Sequence, residues 1–148
     1  MVRFHEGLSE RTVYFRYFHM LNLAQRTSHD RLTRICFIDY SREIALVAER
    51  TEPGASGGEI VAVGRLTKIH ATRDAEFAIV VSDAFQGQGL GTQLLGRLLE
   101  IARREGVSRV VADMLSENRE MQRVCERFGF TVTYAEHTQM LHAELAVQ

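Results

Sequence analysis

The chain has 148 residues, of which 45% are hydrophobic and 25% are charged, so it is long enough to form one globular domain with its own core. Its formal net charge of −1 gives no electrostatic reason to expect nucleic-acid binding, which normally needs a clear basic excess. Two cysteines without a paired spacing argue against a disulfide framework or a zinc site, and the lack of a signal peptide or an apolar span favours a cytoplasmic protein with no membrane association.

The N-terminal part of the chain is predicted to be helical. Residues 9–21 place apolar side chains at helical spacing after Ser9, which can cap a helix start, and a second short helix is expected over 30–35. Three strands with short loops between them follow, over 44–50, 60–69 and 75–82. Successive strands joined by short loops predict an antiparallel meander.

A change to helical periodicity marks residues 89–106, where leucines recur on one face and Gly106 suits a left-handed stop. A strand, a helix and two further strands are expected after it, over 109–115, 119–128, 130–136 and 139–147. This order predicts an α/β (α+β) fold with a mixed central sheet flanked by helices, in a single domain over 1–148.

The segment 86-QGQGLGT-92 joins a predicted strand to the long helix and carries three glycines at alternate positions. Such a loop leaves several backbone N–H groups directed outward at the positive end of a helix dipole. That arrangement binds anions and suits a pyrophosphate. The candidate anion-binding residues are Gln86, Gly87, Gln88, Gly89, Leu90, Gly91 and Thr92.

Two familiar nucleotide-binding loops fit this segment poorly. A Walker loop needs Gly-Lys-Ser/Thr, but Leu90 and Gly91 follow Gly89. A dinucleotide-binding fingerprint needs a glycine where Thr92 stands and a shorter connection from the strand, although Asp113, about twenty residues on, keeps that alternative open. A glycine-rich turn that binds no ligand is the structural alternative.

A third loop type fits without adjustment. Residues 86–91 match Gln/Arg-x-x-Gly-x-Gly/Ala, the pyrophosphate loop of the GNAT acyl-CoA acyltransferases. A second signature of that family, an asparagine, a helix and then Gly-Phe, is present as Asn118 and Gly129-Phe130. The chain therefore resembles the GNAT superfamily over residues 9–147. The resemblance implies the GNAT fold and an N-acetyltransferase that uses acetyl-CoA as cosubstrate and no metal.

A narrower resemblance is to the bacterial protein-lysine acetyltransferases of the Pat type, whose sequences are similar to this chain over residues 7–19, 31–48 and 75–91. It implies a protein lysine as acceptor, on a target such as an acyl-CoA synthetase. That family carries its GNAT domain alone or fused to acyl-CoA-synthetase-like or cyclic-nucleotide-binding domains. A small-molecule amine acetyltransferase of the same fold, and an acyl-CoA-sensing domain without turnover, remain alternatives.

The resemblance also suggests which residue removes the proton from the acceptor. A lysine amine has a pKa of about 10.4, so at neutral pH nearly all of it is protonated and a base must help. The catalytic glutamate of Pat-type enzymes lies in an Ala-Glu-Phe-Ala motif, and the matching residue in this chain is Glu76. Asp83, at the strand end, is the alternative base, and a surface ion pair is the structural alternative for Glu76.

The resemblance also implies roles for residues that bind the acyl donor, acetyl-CoA. The backbone of Ile79, Val80 and Val81 is expected to hydrogen-bond the pantetheine arm like an added strand, and an N–H there can polarise the thioester carbonyl. Asn118 is expected to contact the pantetheine or to order the start of its helix. Arg16, with Tyr14 and Tyr17, can line the acceptor groove, although a mixed amphipathic helix explains these three equally well.

Two features depart from the family pattern. Cys125 stands where many GNAT enzymes have a tyrosine that protonates the leaving thiolate, so either its thiol donates the proton or it is a buried structural cysteine. Only Met1 to Phe4 precede the helical region, so either the usual first strand is nearly absent or the chain is part of a longer protein. The six histidines show no metal-binding spacing, so no metal site is expected.

Overall fold

The computed structural model describes residues 2–17, 42–54 and 56–148. The helices and strands in chain order are α1 Val2–Glu6, α2 Glu10–Tyr17, β1 Glu43–Arg50, β2 Glu59–Lys68, β3 Asp74–Val81, α3 Leu90–Arg104, β4 Arg109–Met114, α4 Arg119–Arg127, β5 Thr131–Ala135 and β6 Met140–Ala146. The helix predicted over 30–35 and the end of the one predicted over 9–21 lie outside the described residues. No helix in the described ranges is long and apolar enough to cross a membrane.

One six-stranded sheet forms the centre of the fold, in the order β1-β2-β3-β4-β6-β5. The first three strands form the predicted antiparallel meander. β3 then pairs in parallel with β4, which requires a crossover connection, and α3 supplies it. The remaining pairs are antiparallel, so the sheet is mixed, as the sequence predicts.

α3 covers one face of the sheet because its leucines recur on one side of the helix. Its fully or nearly fully buried side chains are Leu94, Leu95, Leu98, Leu99 and Ala102. Each buried leucine contributes about 1.5–3 kcal/mol of hydrophobic stabilisation relative to an exposed one. The helix ends where Gly106 adopts a φ of 73°, a left-handed conformation that a residue with a side chain rarely takes.

The opposite face is covered in part by α1 and α2. Phe4, Leu8 and Val13 from this helical segment pack against Val63 and Val80 of the sheet. α2 begins as predicted at Ser9, whose Oγ accepts the N–H of Thr12 at 3.2 Å. The sheet therefore lies between two helical layers within the described residues.

The pairing between β3 and β4 ends early. It runs over Asp74 to Glu76 on β3, and the last pair is Glu76 with Val111. Beyond that point β3 continues beside β2 alone, and β4 continues beside β6 alone. The sheet consequently opens on the carboxyl-terminal side of Glu76, and the residues that follow on β3 present an unpaired backbone edge.

Candidate active site

A pocket of about 550 Å³ lies at this opening, between the end of β3, the glycine loop, α2 and α4. Among the predicted cofactor-binding residues, those that line it are Ile79, Val80, Val81, Gln86, Gly87, Gly89, Leu90, Gly91, Thr92 and Asn118. Gln88 lies in the same loop but not in the lining. The fold thus brings together two segments that the sequence places about thirty residues apart, the glycine loop and Asn118.

The glycine loop presents unbonded amides to this pocket. Gly87 and Gly89 have φ angles of 74° and 86°, which favour glycine, and a Cβ on either one would meet no atom within 4 Å. Within the described chain, no N–H group from Gly87 to Thr92 donates a hydrogen bond to another protein group. These amides lie at the N-terminus of α3, whose dipole adds positive potential. The arrangement is suited to a diphosphate.

The side chain of Gln86 attaches the glycine loop to α2 and to the end of β3. Its Nε2 donates to the carbonyl oxygen of Val81 at 3.0 Å and to Oγ1 of Thr12 at 3.0 Å. Its backbone N–H donates to the carbonyl oxygen of Asp83 at 3.4 Å, within a 3₁₀ turn over Asp83–Phe85. Since these donors are already used, the amides free for an anion begin at Gly87.

Asp83 also has a positioning role. Its Oδ1 accepts the backbone N–H of Ser9 at 2.9 Å, which attaches the start of α2 to the turn. Partial burial alone would raise the pKa of Asp83, but hydrogen bonds from Ser9 and Thr12 outweigh it and lower the pKa. A carboxylate held in this way is a weak proton acceptor, which disfavours Asp83 as the alternative base.

Glu76 stands where the opening begins. Partial burial of its carboxyl is the main cause that raises its pKa, followed by the charge of Asp113, while Arg16 and His142 act in the opposite direction. Glu76 does not line the pocket itself, but Arg16, which acts on it, does. The residue is accessible to solvent, so an acceptor amine can reach it. A raised pKa makes this carboxylate a stronger base than an ordinary surface glutamate.

Two of the residues considered in the sequence lie away from the pocket. Asp113, which kept the dinucleotide alternative open, does not line it, and its Oδ1 is 2.8 Å from Nδ1 of His142. Cys125 is fully buried in the core beneath α3, and burial, followed by the charge of Glu126, raises the pKa of its thiol to about 12. The structure therefore favours a structural cysteine over a proton donor.

Asn118 serves as a helix cap and also faces the pocket. Its Oδ1 accepts the N–H of Met121 at 3.3 Å, at the start of α4. Three arginines of that helix, Arg119, Arg123 and Arg127, line the same pocket. These three arginines are not among the site residues predicted from the sequence, although their spacing of four residues indicates one helical face. In the described part of the chain none of the three forms an ion pair, so their charge remains available to an anionic ligand.

The proposed acceptor side is described only in part. Arg16 lines the same pocket as the glycine loop, whereas the side chains of Tyr14 and Tyr17 lie outside the described residues, so their role in an acceptor groove stays a prediction. Among the residues that the structure describes, no group of three or more His, Cys, Asp or Glu side chains is arranged to hold a metal ion.

Known proteins resemble this chain in sequence. The sequence model described as "Acetyltransferase (GNAT) family" matches residues 14–130. An acetyltransferase of Pseudomonas aeruginosa is 30% identical over 115 residues, which is 78% of this chain and 61% of that protein. Acetyltransferase Pat of Mycolicibacterium smegmatis is 35% identical over 92 residues, 62% of this chain and 27% of that protein. The chain thus spans less than two thirds of either relative. L-Methionine sulfoximine/L-methionine sulfone acetyltransferase of Salmonella typhimurium is 45% identical over 58 residues, 39% of this chain and 34% of that protein.

Solved structures agree with the fold. The GNAT domain of Streptomyces lividans PAT superposes with a TM-score of 0.83 at 29% identity, covering 98% of this chain and 82% of that one. YncA of Salmonella typhimurium, whose structure contains its cofactor acetyl-CoA, gives a TM-score of 0.60 at 22% identity over 88% of this chain and 76% of that one, which supports the fold alone. With a family match over most of its length and a glycine loop in the expected place, the chain belongs to the GNAT acetyltransferase family.

Proposed function

We propose that this chain transfers the acetyl group of acetyl-CoA to an amine, and that the physiological acceptor is the ε-amine of a protein lysine. The observation that carries the proposal is the run of unbonded amides from Gly87 to Thr92, which faces a pocket continuous with the open edge of β3. A diphosphate is the anion that best matches several N–H groups at a helix start.

Other residues of the same pocket are proposed to bind the rest of the acyl donor, acetyl-CoA. The backbone of Ile79 to Val81 lies on the open edge of β3, so it can pair with the amide groups of the pantetheine arm. The three arginines of α4 add positive charge on the facing wall. Asn118 has a side-chain NH₂ group that remains available for the pantetheine after its oxygen has capped α4.

Glu76 is the proposed general base. It takes one proton from the acceptor ammonium, and the neutral amine then attacks the thioester carbonyl. A C–N bond forms and the C–S bond breaks, the attacking nitrogen gives up its second proton to solvent, and a backbone N–H on β3 stabilises the oxygen that becomes negative. The leaving thiolate has a pKa near that of a cysteine, about 8.5, so it can leave as the anion and take a proton from solvent. This scheme does not require Cys125.

A lysine acceptor is supported by the resemblance to Pat-type enzymes and by the superposition on the GNAT domain of S. lividans PAT. By the same resemblance we propose an acyl-CoA synthetase as the partner. The chain spans 27% of the length of the M. smegmatis protein. The buried free thiol of Cys125 agrees with a cytoplasmic location.

A small-molecule amine is the second candidate acceptor. The similarity to the methionine sulfoximine acetyltransferase, at 45% identity over 58 residues, favours it. Incubation with labelled acetyl-CoA and a cell lysate separates the two. Label in proteins supports lysine acetylation, and label confined to low-mass compounds supports the second candidate.

Calorimetry with acetyl-CoA tests the acyl donor before any acceptor is known. We expect saturable binding to the folded protein, with competition by CoA. A folded protein that produces no heat with either compound contradicts the proposed function, including the alternative of an acyl-CoA-sensing domain.

A further inference from the structure

Three ionisable side chains form a row across neighbouring strands, on the sheet face opposite α3. Glu76 is on β3, Asp113 on β4 and His142 on β6. Their sequence neighbours Phe77, Ala112 and Ala143 are buried in the hydrophobic core that also contains the leucines of α3. Because side chains alternate between the two faces of a sheet, the three ionisable groups share the other face.

The strand register brings this row to the opening between β3 and β4. Glu76 pairs with Val111, so Asp113 lies two residues further along β4, where the pairing with β3 has ended. Asp113 in turn pairs directly with His142 on β6. The two carboxylates are therefore diagonal neighbours at the point where the pocket begins.

The permanent positive charges around this row are mostly engaged elsewhere. Arg109 binds Asp74 at 2.6 Å and Glu144 at 3.2 Å. Asp113 has His142 as its partner, with Nδ1 and Oδ1 2.8 Å apart. In the described residues Glu76 has no ion-pair partner within 4.0 Å.

Among the described residues, three charged or titratable groups act on Glu76, namely Arg16 on α2, Asp113 on β4 and His142 on β6. Arg109 on β4 and Glu144 on β6 lie on the same face of the sheet by strand alternation. On β2 the direct partner of Glu76 is the uncharged Thr67, and the nearby Arg65 binds Glu43 at 2.7 Å. The partner of His142 on β5 is the uncharged Thr133.

We propose that Asp113 and His142 are positioning residues that set the basicity of Glu76. The Asp113 carboxylate increases the affinity of Glu76 for a proton, and a positive charge on His142 offsets that effect. The inference rests on the proposed role of Glu76 as general base. It predicts that loss of the Asp113 carboxylate makes Glu76 a weaker base and that loss of His142 makes it a stronger one.

The signs of the local electrostatic effects agree with this arrangement. After burial, Asp113 is the next cause that raises the pKa of Glu76, whereas His142 lowers that pKa. The two neighbours therefore act in opposite directions on one carboxyl. A role confined to packing would give no such opposition.

Carbon-13 NMR of protein labelled at glutamate carboxyls tests the proposal without an acceptor. The Glu76 resonance is assigned by its loss in Glu76→Gln. In Asp113→Asn its titration midpoint should move to lower pH, and in His142→Gln to higher pH, each by roughly half a pH unit. Glu100→Gln and His137→Gln, which replace exposed residues on α3 and in the turn after β5, are matched controls that should leave the midpoint unchanged.

Shifts of the Glu76 titration midpoint in opposite directions in the two variants support the inference. The same shifts in the pH profile of kcat/KM with an amine acceptor would extend it to catalysis. Unchanged midpoints, or shifts in the same direction, overturn it. If Asp113→Asn does not fold, His142→Gln alone decides by the direction of its shift. The proposed function is tested separately, since a wild-type protein that fails to bind acetyl-CoA refutes that function while the titration of Glu76 can still be measured.

Discussion

The side-chain amide of Gln86 donates a hydrogen bond to the hydroxyl of Thr12 at 3.0 Å, across 74 residues of sequence. The same amide binds the carbonyl oxygen of Val81, and Asp83 holds the N–H of Ser9. The proposed cofactor loop, the end of β3 and α2 are thereby joined. We expect a ligand that orders the loop to stabilise α2 as well, because the two share these contacts.

Replacing Gln86 by Ala tests this connection. The change removes two hydrogen bonds, so we expect the free energy of unfolding to fall by about 1–2 kcal/mol and the affinity for acetyl-CoA to fall by about threefold to tenfold. Denaturant unfolding and calorimetry measure the two effects. Gln93→Ala, an exposed change one turn into α3, is the control. Equal behaviour of both variants would show that Gln86 does not position the loop.

Gly91 offers a probe of the anion site that does not strain the free protein. A Cβ there would meet no atom within 4 Å, and its φ lies outside the left-handed region. Gly91→Ala should therefore fold at least as stably as wild type, yet lose about tenfold or more in acetyl-CoA affinity, because the methyl group occupies space next to the proposed diphosphate.

The matched control is Gly96→Ala on the same helix. Its Cβ would be in ordinary contact with Phe128 at 3.4 Å, away from the pocket lining. We expect acetyl-CoA affinity to be retained. If Gly91→Ala binds as tightly as this control, the amides around position 91 do not hold the diphosphate.

The sequence predicted what depends on local pattern. The periodicity of α3, the stop at Gly106, the meander of β1 to β3 and the Ser9 cap all follow from neighbouring residues, and the structure confirms them with boundaries shifted by one or two positions. The positions of the loop and of Asn118 beside one pocket also agree with the family resemblance.

Contacts between segments that are distant in the sequence cannot be predicted from such local patterns. The sequence leaves Asp83 as an alternative base, because no local pattern predicts that the N–H of Ser9, 74 residues away, donates to it. The row of Glu76, Asp113 and His142 depends on strand order and register, since β6 pairs with β4 and the intervening β5 lies at the edge. Burial of Cys125 likewise depends on how α4 packs.

Cys125 should be dispensable for acetyl transfer. Its thiol is buried and, with a pKa near 12, remains protonated, so Cys125→Ala should keep kcat within about twofold while lowering stability by about 1 kcal/mol through the small cavity. In a Cys36→Ser background the native protein should not react with a thiol reagent at pH 8, and the unfolded protein should. A tenfold loss of kcat would restore the thiol as the acid.

Glu76→Gln should separate catalysis from cofactor binding. We expect kcat/KM for the acceptor to fall by about tenfold or more at neutral pH with the Kd for acetyl-CoA within about twofold, since the amide cannot accept the proton. The wild-type rate should decline as pH falls through the raised pKa of Glu76, whereas the rate of the variant should show no inflection there and follow only the neutral fraction of the acceptor amine. Glu100→Gln is the control. Unchanged turnover would exclude Glu76 from the mechanism.

The same substitution should increase stability in a pH-dependent way. Because the folded-state pKa of Glu76 is raised, mainly by burial, the folded protein binds this proton more tightly than the unfolded chain does. The contribution to stability is fully present below the unfolded pKa and is lost as pH rises through the folded one. At pH 7.5 Glu76→Gln, which has no carboxylate to desolvate, should therefore melt at a higher temperature than wild type. At pH 4, where wild-type Glu76 is largely protonated, the difference should shrink. A difference in Tm that does not depend on pH would mean that the carboxylate is not destabilised in the folded protein.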